Sequence, residues 1–193
     1  MYGFPADFTP LGRKAAQSRE RGGRVTARLL RTAVLVGMMG AGKTAVGTAL
    51  AAALGVRFTD SDDEIERAAN ATITEIFARD GEAFFRAREA QVIARLLAGP
   101  PQVLSVGGGA FLAPATRDRI ARRAVSVWLD ADLELLWNRV RHRRSRPLLR
   151  TADPRETLAR LHAERAPVYA LAAVRVVPRA GLGIEETAAE VLR

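Results

Sequence analysis

From residue 33 onward, short apolar runs alternate with longer stretches patterned as helices. Ala33–Val36 is apolar without interruption, the mark of a strand buried on both faces. Lys43–Leu54 is rich in Ala and stops at Gly55, which predicts a helix with a glycine at its C-terminal cap. Arg57–Thr59 reads as a second short strand. A helical region follows with apolar positions at Ile65, Ile73, Ile76, Phe77, Phe84, Phe85, Val92, Ile93, Leu96 and Leu97. Gly81 should break it, and Gly99-Pro100-Pro101 should end it. Val103–Val106, Val125–Leu129 and Val174–Val177 read as further strands. Pro114–Arg122, Asp132–Val140, Pro154–Ala170 and Ile184–Leu192 read as helices, with Pro114 suited to a first turn. Arg141–Ala152 is polar and reads as a loop. Strands alternating with helices predict an α/β fold, a parallel five-stranded sheet covered on both faces.

Residues 1–30 break this pattern. They hold Pro5, Pro10, Gly12, Gly22 and Gly23, many charges and no sustained periodicity, so they read as a disordered extension to a domain spanning 31–193. Seven basic side chains fall within residues 1–31 against only Asp7 and Glu20, out of a net charge of +9 for the chain. The two acids and the lack of an amphipathic helix argue against a transit peptide. The lack of an apolar core after the basic residues excludes a secretory signal.

At 193 residues, the chain suits one well-buried domain. With no Cys, it has no disulfide, thiolate nucleophile or Cys-based zinc site; two His make a His-rich metal site improbable. No apolar run reaches the roughly 18 residues of a membrane span. These features fit a cytoplasmic protein.

The strand Ala33–Val36 leads into Gly37-Met38-Met39-Gly40-Ala41-Gly42-Lys43-Thr44, which satisfies G-x-x-x-x-G-K-[ST], and a helix leads out. Glycines let backbone N–H groups approach phosphates, and the helix N-terminus adds its positive dipole. Lys43 should reach the β- and γ-phosphates, and the Thr44 hydroxyl should meet Mg²⁺. Lys14 and Lys43 are the only lysines in a chain that otherwise uses Arg, so a compact point charge is wanted at this position. Neither Asn70 nor Asn138 is followed by Lys, so the usual guanine-selective motif is missing.

Asp60-Ser61-Asp62 follows a short strand, which sets both carboxylates at the sheet edge where open α/β sheets bind ligands. Two carboxylates there could hold a metal and orient an attacking hydroxyl, or simply cap the next helix. Asp130 competes for the metal role, ending the apolar strand Val125–Leu129. Arg86 sits beside Phe84 and Phe85, which implies a half-buried cation needing a partner. Glu89, three residues on, is one candidate, and an anionic ligand is the other. Gly107-Gly108-Gly109 follows a strand, as close backbone approach to a ligand requires. Arg139–Arg150 holds six arginines and no acid, either a solvated face or a basic binding surface.

Taken in order, these pieces resemble the shikimate kinase family over roughly residues 33–190. The matching runs are Gly37-x-x-Gly40-x-Gly42-Lys43-Thr44-x-Val46-Gly47, Phe58-x-Asp60-x-Asp62-x-x-Ile65-Glu66, and Ile73-x-Glu75-Ile76-Phe77-x-x-x-Gly81-Glu82-x-x-Phe85-Arg86-x-x-Glu89. Gly107-Gly108-Gly109, Arg146-Pro147-Leu148-Leu149 and Glu164-Arg165-x-x-x-Tyr169 follow. The resemblance implies a P-loop NTPase fold of three α/β/α layers, nucleoside-monophosphate-kinase-like, with substrate-binding helices and a mobile lid at about 141–153. It implies ATP-dependent phosphorylation of the 3-hydroxyl of shikimate in the pathway to chorismate and the aromatic amino acids, with Mg²⁺ as cofactor. Its site residues would be Asp62, Lys43 and Arg146 for catalysis; Gly40, Ala41, Gly42, Lys43, Thr44, Ala45, Arg139 and Arg146 for ATP; Asp62, Arg86, Gly108, Gly109 and Arg165 for shikimate; and Thr44 with Asp60 for the metal. Within that pattern Glu89 orients Arg86, Arg139 packs near adenine, and Arg146 closes over the transferred phosphate.

The implied partners are ATP and shikimate, with no membrane, no nucleic acid and a monomeric state. A related kinase for gluconate or another polyol acid is the alternative, which Asp62, Arg86, Gly109 and Arg165 argue against. Nucleic-acid binding through the basic segments would need stacking aromatics, and the Arg-rich stretches Arg13–Arg31 and Arg139–Arg150 hold none.

Overall fold

A computed structural model describes residues 29–142, 149, 151–179 and 181–193. Nearly all of the expected N-terminal extension, and residues 143–148 of the expected lid with Arg146, lie outside the described residues.

Five strands form one parallel sheet: β1 (Thr32–Val36), β2 (Phe58–Asp60), β3 (Val103–Ser105), β4 (Ala124–Leu129) and β5 (Val174–Val176), in the spatial order β2-β3-β1-β4-β5. β1 lies at the centre, with Val34 opposite Leu104 of β3 and Ser126 of β4. All five of its residues are buried, as its uninterrupted apolar run requires. The flanking helices are α1 (Lys43–Leu54), α2 (Ser61–Ala69), α3 (Ile73–Ala98), α4 (Pro114–Arg123), α5 (Leu133–Val140), α6 (Pro154–Tyr169) and α7 (Ile184–Val191). The predicted five-stranded parallel α/β architecture is the one observed.

The long helical region resolves into two helices because local capping divides it. Asn70 ends α2 in a left-handed conformation, φ 48°. Thr72 then starts α3 with a capping box: its hydroxyl accepts from Glu75 N at 3.2 Å, and its own N–H donates to Glu75 Oε2 at 2.7 Å. The break foreseen at Gly81 is present inside α3, with φ 81° and ψ 171°, a conformation only glycine adopts easily. A single 3-10 turn over Ala110–Leu112, after the triple glycine, carries no periodic signal and went unpredicted.

Two apolar clusters divide the molecule unequally. The main core gathers around the sheet, with Val34, Leu35, Leu50, Ile93, Leu104, Ile120, Leu129 and Leu136 sealed from solvent. Side chains so packed resist truncation to Ala by roughly 2–5 kcal/mol each. A separate cluster of only Ile65, Ile76 and Phe85 ties α2 to α3, with Phe77 packed on Phe85 at 4.6 Å between ring centroids. That small cluster supports the helices that carry Asp62 and Arg86.

Candidate active site

The Gly37–Thr44 loop links the C-terminal end of β1 to the start of α1. A β-carbon on Gly37 would lie 2.8 Å from the carbonyl oxygen of Leu129, and its φ of 135° suits glycine alone, so the loop rests directly on β4. Lys43 Nζ donates to the carbonyls of Gly37 at 2.9 Å and Met38 at 3.2 Å. Arg139, from α5, donates through Nη1 to the carbonyls of Gly40 and Ala41, both at 3.2 Å. Expected near adenine, Arg139 thus lies on the outer wall of the phosphate loop. With four loop carbonyls turned toward cations, the loop's N–H groups and the N-terminal turn of α1, including Thr44 and Ala45, are left as a face suited to an anion.

β2 ends in Asp60, which caps α2: its Oδ1 accepts from Asp62 N at 3.0 Å. Its other oxygen, Oδ2, stands 3.5 Å from the Thr44 hydroxyl. Among the described residues, no cluster of three His, Cys, Asp or Glu side chains could hold a metal. One hydroxyl and one carboxylate beside a phosphate loop nevertheless suit Mg²⁺, which takes few protein ligands and completes its shell with water and phosphate oxygens. Asp130, the competing candidate, accepts from Arg175 Nε at 2.8 Å and Nη2 at 2.5 Å, while that guanidinium lies over the Trp128 ring. Its carboxylate is thereby committed to an ion pair at the far edge of β4.

Asp62 differs from its neighbour. Its Oδ1 is buried with no hydrogen-bond partner, and its pKa rises from 3.8 to about 6. Burial is the main cause, the charges of Asp60 and Glu89 add to it, and Lys43 opposes it. Near neutral pH this is a poised carboxylate that can take a proton.

Arg86, on α3 just beyond the Gly81 break, donates through Nη1 to Glu89 Oε2 at 2.8 Å and through Nη2 to Glu82 Oε1 at 3.2 Å. It also lies over the Phe85 ring, 5.2 Å from its centroid. Glu89 is 4% exposed, and burial raises its pKa against the pull of Arg86. An ion pair fixes the Arg86 guanidinium, and its Nη1 also stands toward the triple glycine.

That glycine run, directly after β3, is where the pieces meet. A β-carbon on Gly107 would lie 2.8 Å from Asp62 Oδ1 and 3.0 Å from Glu89 Oε1. On Gly108 it would lie 3.5 Å from both Arg165 Nη1 and the Tyr169 hydroxyl, and 3.6 Å from the Gly37 carbonyl. On Gly109 it would fall 2.6 Å from Arg86 Nη1. Each missing side chain makes room for a different charged group, so Asp62, Arg86 and Arg165 converge on one short backbone segment beside the phosphate loop.

Gly107, already noted as part of the glycine run, admits the two carboxylates. Two further residues were given no role in the sequence reading. Ser61, fully buried, accepts from Gly107 N at 3.4 Å. Tyr169, also buried, donates its hydroxyl to the Gly108 carbonyl at 2.5 Å. Ser61 between two aspartates and Tyr169 four residues after Arg165 were the available signals, both lying within motifs already noted. Arg146 lies outside the described residues, and no helix among those described is long and apolar enough to cross a membrane.

Comparison with known proteins gives a consistent result. The family model described as "Shikimate kinase" matches residues 39–193. A shikimate kinase of Cereibacter sphaeroides is 65% identical over 159 residues, covering 82% of this chain and 80% of its own. A shikimate kinase of Ruegeria pomeroyi is 64% identical over 160 residues, covering 83% of this chain and 82% of its own. A solved shikimate kinase from Acinetobacter baumannii in complex with shikimate superposes with a TM-score of 0.79 at 39% identity, covering 84% of this chain and 91% of its own.

Proposed function

The chain belongs to the shikimate kinase family, and from that premise we propose how its own residues carry out ATP-dependent phosphorylation of the 3-hydroxyl of shikimate. The observation that carries this reading is the meeting of Asp62, Arg86 and Arg165 around Gly107–Gly109, within reach of the phosphate loop. A carboxylic acid bearing ring hydroxyls suits two guanidiniums on one side and a carboxylate on the other.

In the transfer, the acceptor oxygen attacks the γ-phosphorus, the new O–P bond forms as the bond to the ADP oxygen breaks, and the hydroxyl proton passes to Asp62. Lys43 would lift from the loop carbonyls toward the phosphates, and Arg139 would keep the loop wall in place. Arg86 and Arg165 would anchor the shikimate carboxylate, with Glu89 holding Arg86 in its rotamer. Thr44 and Asp60 would hold Mg²⁺, which when bound offsets charge on the triphosphate. Arg146 is assigned to the transferred phosphate by family resemblance alone. Positioning and charge neutralisation thus supply the catalysis. The same reading makes the protein a cytoplasmic monomer whose small-molecule partners are ATP and shikimate.

A coupled ADP-release assay of the purified full chain with a panel of hydroxy acids tests it. Turnover is expected with shikimate and not with gluconate; the reverse preference would overturn the assignment.

A further inference from the structure

The hydroxyl of Tyr169 is used by nothing in the chemistry above, yet it is buried where the nucleotide and acceptor sides touch. It donates to the Gly108 carbonyl at 2.5 Å, and a β-carbon on Gly108 would lie 3.5 Å from both this hydroxyl and Arg165 Nη1. Arg165 and Tyr169 lie four residues apart on α6 and so share one face of that helix. The hydroxyl and the Arg165 guanidinium therefore meet the same glycine, the hydroxyl through its bond to the Gly108 carbonyl.

The carbonyl of Gly108 and the N–H of Gly109 belong to one peptide unit. A trans peptide is planar, and its C=O and N–H point in opposite directions. Fixing the carbonyl toward Tyr169 aims the Gly109 N–H away from it, and Arg86 Nη1 comes within 2.6 Å of a β-carbon position on Gly109. The Gly109 N–H has no acceptor among the described residues. The turn bond from Ala110 N to the Gly107 carbonyl at 3.0 Å closes over the Gly108–Gly109 peptide, and with no side chain at either glycine the Tyr169 bond adds a second restraint on its orientation. Behind the phenol, the Trp128 ring lies 6.2 Å from that of Tyr169 between centroids, and the tyrosine is buried.

We propose that Tyr169 is a positioning residue for the acceptor, holding the Gly108–Gly109 peptide so that its N–H faces the bound substrate, and holding Arg165 in register with it. The inference rests on shikimate being the acceptor. Tyr169 touches neither reacting atom; it acts through the peptide and the arginine.

The test is Tyr169→Phe in the full chain, with steady-state kinetics varying shikimate and ATP separately. Losing one hydrogen bond of this kind should raise KM for shikimate about five- to tenfold, with KM for ATP unchanged within about twofold. An unchanged shikimate KM with reduced kcat, as a merely structural tyrosine would give, overturns the proposal, as does an equal rise in both KM values. Should the variant not fold, the wild type still answers: Tyr2 and Tyr169 are its only tyrosines, so uniform 3-fluorotyrosine labelling gives one reporter inside the domain. Its ¹⁹F resonance should shift on saturation with shikimate, and a resonance that stays in place overturns the proposal. Wild-type turnover is measured first. No turnover of shikimate would strike the functional reading, whereas turnover with an insensitive Tyr169 would strike this inference alone.

Discussion

The two halves of the site are made in different ways. On the nucleotide side, one continuous segment between β1 and α1 supplies the loop, and the groups that meet phosphate are mostly backbone N–H donors resting on the main core. On the acceptor side, side chains from α2, α3 and α6 meet over a glycine run after β3. Asp62 and Arg86 stand beside a small cluster of Ile65, Ile76 and Phe85 that joins α2 to α3, while the C-terminal part of α3 and α6 reach the main core. A backbone cradle on a large core tolerates little change and serves any triphosphate. A set of side chains on a small satellite core can be re-specified one residue at a time. On the proposed reading, substrate choice rests with the side chains of the acceptor half.

Substitutions should separate the halves, and the largest effect is expected at the proton acceptor. Asp62→Asn should lower kcat for shikimate by about 10²- to 10⁴-fold while leaving ATP affinity, measured by nucleotide titration, near that of the wild type. A variant that keeps its kcat would show that the carboxylate only occupies space. Next comes Arg86→Ala, which removes a charged anchor and leaves buried Glu89 unpaired. KM for shikimate should rise by roughly 10- to 100-fold, again with little change for ATP; a parallel rise in both constants would erase the distinction between the halves.

The smallest effect concerns stability. Asp62 has its folded pKa at about 6 against an ordinary 3.8, so the fold favours its protonated form. The cost of its charge is absent below about pH 4, develops as pH rises toward 6, and is complete above it. Thermal melts of Asp62→Asn should therefore show a gain over the wild type of about 3 kcal/mol at pH 7 that vanishes by pH 4. A gain independent of pH would mean that the carboxylate is not the strained group.

Most of the architecture was legible because apolar runs and helical periods report burial directly: β1, α1 and α4 lie within a residue or so of their sequence boundaries. The phosphate loop was legible for a different reason, since its glycines answer a geometric demand that few residues can meet. Asp62, Arg86 and Arg165 could be marked as candidates only through their order along the chain. Nothing in their spacing states that residues from three helices converge on Gly107–Gly109. Tyr169 and Ser61 were invisible as functional groups because a buried hydroxyl looks like any core residue until its partner is known. Arg139 shows a further limit, for its guanidinium reaches the carbonyls of Gly40 and Ala41, nearly a hundred residues earlier in the chain.

The placement of β1 has a consequence for how the molecule comes into being. This strand is among the first parts of the domain to be synthesised, yet its two neighbours, β3 and β4, arrive only with Val103 and Ala124. Until Leu129 has left the ribosome, Gly37 has no β4 carbonyl to rest against and the central strand has two bare edges. Non-local parallel pairing of this kind is slow, and unpaired edges invite association between chains. A nascent chain stalled before residue 124 would carry the complete phosphate-loop sequence and no phosphate loop.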